Sequence, residues 1–503
     1  MRDAGTDRRP FNLKTKQDNE SGDEMKRKIQ RVLIANRCEV VHSIIKSLHE
    51  MGKEAVAVYE KPDSNTSFIH LADMAVMIGD GPITDYLNIE KIICAAKSTG
   101  ADAIHPGYGF LSESADFAEA CEKNGLIFIG PPARVMRRLG DKVAAKVMMR
   151  QEKIITIPGT GVLAPGEDGI NEALAFAETV GYPILLKAVN GGGGRGIREV
   201  EEAATLEIQL HHARHEAFVA FNHDGIYAEK FIASPRHIEI QILADAYGKV
   251  IHLGSRDCSI QRRHQKLLEV APASSIPADI MNAMCQTAVK VTRHAGYVNA
   301  GTVEFLYDPK TKQFWFMEVN TRLQVEHSVT EMITGIDIIK KQIEIAEGNP
   351  LDLQQEDIVM KGCAIHVRVN AEDPLKHFCP DGGRTVEVYR PPAGPGIRMD
   401  GTISAGYTIP TVYDSLLVKL TVWGTCWDEA VANLKRALGD FVIIGPKTTI
   451  PFYLAICDEP DFRHGIFDTS YLDSHDCLFD AVKKIENTNR NQPSANEAGV
   501  KAS

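Results

Sequence analysis

Between positions 316 and 331 the chain reads FMEVNTRLQVEHSVTE, and Glu318, Asn320, Arg322, Gln324 and Glu326 fall at every second position. On an extended backbone that period puts them all on one face. Just upstream, residues 301–308 and 313–319 flank a polar Pro-Lys-Thr-Lys turn and read as a hairpin centred near Thr311. That register sets Glu304 directly opposite Glu318. Two carboxylates facing each other across a strand pair repel. A hard divalent cation with oxygen ligands removes the repulsion, and Asn320 offers a third oxygen. Arg322 and Glu326, just beyond the metal, suit an anion binder and a base. The bland alternative, a solvated polar strand face, does not account for so long an alternation of such mixed chemistry.

Other stretches carry weaker signals. Residues 182–200, YPILLKAVNGGGGRGIREV, run from an apolar strand through Lys187 into a glycine run and then a second extended segment. Such a turn brings backbone N–H groups onto phosphate oxygens without Cβ obstruction. It is no Walker loop, since Gly-Lys-Ser/Thr is missing; a hairpin tip is the plain alternative, but a half-buried lysine at a strand end needs an anionic partner. Arg262, Arg263, His264 and Lys266 form a basic run without interleaved aromatics, which fits a local anion pocket better than an RNA surface. Taken alone, Lys142, in the first turn of an amphipathic helix over 139–149, is a surface lysine, and Arg368 is a strand arginine pairing with Glu372 or Asp373.

The elements that must position these groups alternate. Strands at 31–35, 54–59 and 103–105 are separated by helical patterns at 39–50 and 86–96, which indicates a parallel sheet covered on both faces. HPGYGFLSE (105–113) closes this part as a loop at a strand end, where open α/β sheets bind ligands. The dinucleotide glycine fingerprint is absent. Glu229 and Lys230 end another strand, and His237 opens an alternating one. Residues 330–348 read as one amphipathic helix ending at Gly348; beyond 363 the pattern turns to short strands, then a helix whose Trp427, Val431, Leu434 and Leu438 form a core stripe.

The 503 residues allow two to four domains, and 44% apolar with 24% charged residues is ordinary for a globular chain. A net charge of −11 argues against a general nucleic-acid surface. No apolar run reaches the ~20 residues of a membrane helix. Ten cysteines without paired spacing read as reduced, mostly buried thiols of a cytoplasmic protein. The first 28 residues lack a signal-peptide core and read as a disordered tail, as does 477–503.

Taken together, ANRCE, HPGYGFLSE, LGDK, KAVNGGGGRG, EKFIASPRHIEIQ, RDCSIQRRHQK, AGTVEF, FMEVNTRLQVEH and RVNAEDP resemble, in this order and over about 31–472, the biotin carboxylase family of ATP-grasp enzymes. The resemblance implies an α/β chain with a Rossmann-like (pre-ATP-grasp) N-terminal domain (29–141), an ATP-grasp domain (142–348) with a glycine-rich lid at about 158–231, and a mixed α+β C-terminal domain (349–476). It implies ATP contacts at Lys142, Lys187, Gly193, Gly194, Glu229, Lys230, Phe231, Ile232, His237, Gln261, His264, Glu304 and Glu318. Glu304, Glu318 and Asn320 correspond to ligands of Mg2+ or Mn2+. Lys266, Arg322, Gln324 and Val325 match the bicarbonate site, Glu326 the general base, and Arg368 the residue that stabilises the biotin enolate, which reverses the plain reading of that arginine. The implied activity is biotin carboxylation from ATP and bicarbonate, as a subunit of an acyl-CoA or pyruvate carboxylase.

No Met-Lys-Met biotin attachment hairpin is present, so biotin is expected on a separate carrier protein and the carboxyltransferase on another chain, with the subunit itself a homodimer. Departures from the family pattern are Cys38 for glycine, Ser43 for an arginine at the dimer contact, Asn190 in the glycine run, Ser255 and Val270 for acids, and Ser328 for proline. None removes an implied ligand or catalytic group. The rival readings are another ATP-grasp ligase working through an acyl phosphate, and a catalytically silent nucleotide-binding paralogue.

Overall fold

The computed structural model describes residues 27–191 and 196–490. Its N-terminal part is a five-stranded parallel sheet in the order Met74–Gly79, Glu54–Glu60, Arg31–Ile34, Ala103–His105, Ile127–Phe128. The short run RVLI shows why helices cover both faces. Val32 and Ile34 enter one apolar cluster with the Glu39–Glu50 helix, while Leu33 and the following Ala35 enter another with the Ile89–Thr99 helix. Cys38, just before the Glu39–Glu50 helix, has φ 62° and ψ −146°. That backbone region favours glycine, so the departure noted in ANRCE carries local strain.

A second unit is a four-stranded antiparallel sheet, in the order Gly159–Val162, Ile226–Lys230, Ile184–Ala188, Ile197–Val200, backed by the helices Glu167–Val180 and Ala203–Phe221. Ile184, Leu186 and Ala188 point into this unit's own core. The pleat therefore turns Lys187 to the opposite face. The glycine run does lead into a second strand, as expected; positions 192–195, with Gly193 and Gly194, lie outside the described residues, as do 1–26 and 491–503 of the two expected tails.

The centre is an eight-stranded antiparallel sheet in the order Gln313–Asn320, Asn299–Asp308, Arg236–Ala244, Val250–Arg262, Gln265–Ala271, Cys363–Asn370, Leu416–Gly424, Ile397–Gly401. The first five strands precede the helices that follow residue 326 and the last three come after them, so one sheet joins the two halves.

Four expectations change. The strand carrying the alternation stops at Asn320, and 321–326 is irregular chain leading to the His327–Thr334 helix. The single helix to Gly348 is two, His327–Thr334 and Ile338–Ala346: Gly335 ends the first at φ 73°, and the Asp337 side chain accepts from the Lys340 N–H to start the second. Residues 477–490 are not tail but the helix Cys477–Arg490, because Leu478 and Val482, one turn apart, bury against Phe452 and Tyr453 and outweigh the polar composition around them. Of the ten free cysteines, five are buried and four exposed, so the thiols are not mostly interior. The expected core stripe holds, with Val431, Leu434 and Leu438 buried and Trp427 packed against them.

Candidate active site

The sheet register builds the site. Glu318 pairs with Glu304, Glu304 with Glu239, and Glu239 with Arg256, so one row of side chains crosses four strands. The expected opposition of Glu304 and Glu318 is therefore present. Arg256 is wholly buried and donates to Glu239 Oε2 (2.8 Å), Gln241 Oε1 (2.8 Å), Thr330 Oγ1 (3.0 Å) and Thr302 Oγ1 (3.0 Å). Lys266, from the next strand, reaches Glu304 Oε1 at 2.8 Å and Glu326 Oε1 at 3.1 Å and also contacts Glu239. Burial alone would keep Glu304 and Glu326 neutral. The cations around them reverse this: Lys266 and His237 hold Glu304 well below the usual carboxylate range, and Lys266, Arg368 and Arg256 do the same for Glu326. Glu239, in the same row, goes the other way; burial dominates and pushes it up to about 7.

At one end of the row the lysines gather. Lys142, the first residue of the Lys142–Gln151 helix and next to its capping Asp141, lies 2.8 Å from Glu318 Oε2. Lys187 donates to Glu229 Oε2 at 2.9 Å, and Lys146 contacts the other oxygen of the same carboxylate. Lys142 is thus no surface lysine. Burial, with Lys142 nearby, lowers Lys187 to about 8. Lys230 is exposed at the end of the Ile226–Lys230 strand, followed by the half-buried Phe231 and Ile232. His237 donates through Nε2 to Glu304 Oε2 at 2.9 Å, while its Nδ1 accepts from Gln261 Nε2 at 2.8 Å. His264 sits exposed at the turn before the Gln265–Ala271 strand, with φ 62°.

At the other end Arg368 bonds neither Glu372 nor Asp373. Its Nε and Nη2 donate to Glu269 Oε1 at 3.0 and 2.7 Å, and Nη2 also donates to Glu326 Oε2 at 3.1 Å. Arg322, although off the strand, stays beside the row: Nη2 donates to Asn320 Oδ1 (3.2 Å) and Nε to Glu113 Oε2 (3.1 Å). Gln324 Nε2 donates to Glu304 Oε1 (3.1 Å), and the Val325 carbonyl accepts from the buried Lys419 (3.2 Å).

Two facing carboxylates, Glu304 and Glu318, both held ionised by neighbouring cations beside a cluster of three lysines, fit a divalent cation with oxygen ligands. Asn320 fits less directly. Its Nδ2 donates to Glu304 at 2.6 Å and its oxygen takes Arg322, so its amide must turn over to ligate. Sequence reasoning passed over Glu239, Arg256, Glu269, His366 and Lys146. Glu239 was within reach, since it shares the period-two face of His237 and Gln241.

Known proteins match this chain closely. Residues 28–136 match the family model for the biotin carboxylase N-terminal domain, 141–354 the ATP-binding domain of the carbamoyl-phosphate synthase L chain, and 366–474 the biotin carboxylase C-terminal domain. Biotin carboxylase 1 of Bacillus subtilis is 46% identical over 452 residues, covering 90% of this chain and 99% of that one. The 2-oxoglutarate carboxylase small subunit of Hydrogenobacter thermophilus is also 46% identical over 452 residues, covering 90% and 94%. Among solved structures, the biotin carboxylase domain dimer of the Hydrogenobacter thermophilus 2-oxoglutarate carboxylase, with MgADP, ADP and bicarbonate, superposes with a TM-score of 0.87 at 45% identity, covering 90% of this chain and 99% of that one.

Proposed function

The chain belongs to the biotin carboxylase family, an ATP- and bicarbonate-dependent ligase of biotin, and we propose how its residues divide that work. The observation that carries the reading is the junction at Glu326. Its two carboxylate oxygens bridge Lys266, on the row that leads to the lysine cluster, and Arg368, on the far side. A group activated at the first can thus be passed to a substrate held at the second.

Lys142 and Lys187 bind phosphate oxygens of ATP, with Glu229, Lys230, Phe231, Ile232, His237, Gln261 and His264 as its remaining contacts. Gly193 and Gly194, outside the described residues, are further ATP contacts in this reading. Glu304 and Glu318 hold the metal, joined by Asn320; when bound, Mg2+ or Mn2+ neutralises phosphate charge and orients the γ-phosphoryl group. Lys266, Arg322, Gln324 and Val325 hold bicarbonate. As bicarbonate draws Lys266 and Arg322 to itself, Glu326 loses part of the cationic field that depresses it and takes the bicarbonate proton. The freed oxygen attacks the γ-phosphorus while the bond to ADP breaks, giving carboxyphosphate. This splits into CO2 and phosphate; the phosphate removes the ureido proton of biotin, and that nitrogen attacks CO2. Arg368 stabilises the developing enolate oxygen. Because these intermediates hydrolyse, a closed, dry site is required.

We divide the chain at 29–141, 142–348 and 349–476, a partition supported by the three family matches. Among the described residues no helix is long and apolar enough to cross a membrane; we place the protein in the cytoplasm. Biotin arrives on a separate carrier protein and leaves to a carboxyltransferase on another chain, a reading supported by relatives that are themselves carboxylase subunits. A homodimer is supported by the dimeric relative. Ser43, a neutral residue, brings no charge to it; its hydroxyl is buried on its own helix and donates to the Glu39 carbonyl at 3.1 Å. The test is phosphate release from MgATP, without and with bicarbonate, then with free biotin. Release that needs bicarbonate and rises with biotin is expected; ATP binding without any release overturns the reading.

A further inference from the structure

We propose that His366 is a positioning residue for the biotin half of the reaction, acting on Arg368 through Glu269. The inference rests on Arg368 as the biotin-facing group. His366 and Glu269 pair directly across the Cys363–Asn370 and Gln265–Ala271 strands, and both are fully buried. Nδ1 of His366 is 2.6 Å from Glu269 Oε2. With Oε2 taken, Glu269 meets Arg368 with Oε1 alone, which receives both Nε and Nη2. Nη2 then has a second bond to spare for Glu326 Oε2. Among the described residues no acceptor is hydrogen-bonded to Nη1, so that edge of the guanidinium is free for a substrate oxygen.

Without the His366 donor, both carboxylate oxygens of Glu269 are open. An arginine facing an unencumbered carboxylate takes the two-pronged arrangement, one oxygen to Nε and one to Nη2. Adopting it here swings the guanidinium toward Glu269, draws Nη2 away from Glu326 and moves Nη1 with it. His366 Nε2 is buried and has no hydrogen-bond partner, so the ring contributes through Nδ1 alone. A reacting group misplaced by about 1 Å costs on the order of a hundredfold. The bicarbonate half runs through Lys266 and the other oxygen of Glu326; there the retreat of Nη2 only relieves part of the cationic field on that carboxylate, which does not lessen its ability to take a proton.

The experiment compares two reactions of the purified full chain: bicarbonate-dependent ATP cleavage without biotin, and carboxylation of free biotin. His366→Leu removes the donor. It is expected to lower kcat/KM for biotin roughly ten- to a hundredfold, with biotin-independent cleavage within about twofold of wild type. His366→Asn, whose amide nitrogen falls near the Nδ1 position, is expected to restore most of the loss. Thermal melting reports whether His366→Leu folds; His366→Gln, which carries its amide near the Nε2 position instead, has the same expected loss and replaces it if needed. Equal loss of both reactions, or no loss in biotin carboxylation, overturns the proposal. Arg368→Ala run alongside separates the two failures: if that variant still carboxylates biotin normally, the role of Arg368 itself is wrong.

Discussion

The two ends of the site are built on opposite principles. At the proposed nucleotide end, three lysines, Lys142, Lys146 and Lys187, stand against two glutamates, Glu229 and Glu318. At the carboxylation end, Lys266, Arg256 and Arg368 stand against four, Glu239, Glu304, Glu326 and Glu269. With every lysine protonated the first has one cation to spare; burial and mutual repulsion hold Lys146 and Lys187 back from that state until a polyanion completes it. The second is already paired within the protein, with its donors fixed by neighbours before any substrate arrives. A site that captures ATP needs excess charge, whereas one that handles a proton and a nearly neutral ureido ring needs preset geometry.

The sharpest way to break this contrast is at the junction. Glu326→Gln removes the proposed base while keeping the shape of the side chain. Bicarbonate-dependent phosphate release is expected to fall by about two to four orders of magnitude, the range of a general base, while ATP binding measured by calorimetry persists. Retained turnover would show that Glu326 is not the base and that the carboxylation end works without a carboxylate at its junction.

Stability separates the ends next. Arg256→Met leaves Glu239 with Lys266 alone and strands Gln241, Thr302 and Thr330 at once, so about 3–5 kcal/mol is expected to be lost in denaturant unfolding. Lys146 is as buried, but burial together with Lys187 and Lys142 pushes its pKa well down, toward the neutral amine. Lys146→Met keeps the volume and leaves Glu229 with Lys187; less than about 1.5 kcal/mol is expected. Equal costs would mean that the nucleotide end is as closed a network as the other.

The same division explains what could be read from the sequence. Glu304 opposite Glu318 follows from counting along one hairpin, because both strands and their turn are local. The partners of Arg368 do not: Glu269 lies 99 residues earlier, and only the pairing of two strands from different parts of the chain brings them together. Without that pairing, local spacing points only to Glu372 or Asp373. Arg322, Gln324 and Glu326 were placed beside the metal by a strand alternation that ends at Asn320; they reach the site because the irregular 321–326 segment and the start of the His327–Thr334 helix fold back over the same row. These side chains do gather beside the row, but not on a strand, since period-two spacing cannot tell a strand from a folded-back loop.

The subtlest test uses Lys187, whose pKa is lowered to about 8 by burial and Lys142 against the ordinary lysine value of 10.5. Below pH 8 it is cationic and attracts phosphate. Above that it is neutral in the free protein, and ATP must bring a proton with it, so the apparent affinity is expected to weaken by up to about tenfold per pH unit. The stability sign is opposite. Between 8 and 10.5 the unfolded chain holds more protons at this lysine than the folded one, so its penalty on folding shrinks as pH rises through that window. The ATP-induced rise in Tm should therefore narrow with pH while the lysine's own penalty in the apo chain eases. Lys187→Arg, which stays charged, should keep the ATP effect constant through pH 9. A wild-type ATP effect just as flat would mean that Lys187 does not meet the phosphates, and that the spare charge of the nucleotide end resides in Lys142 alone.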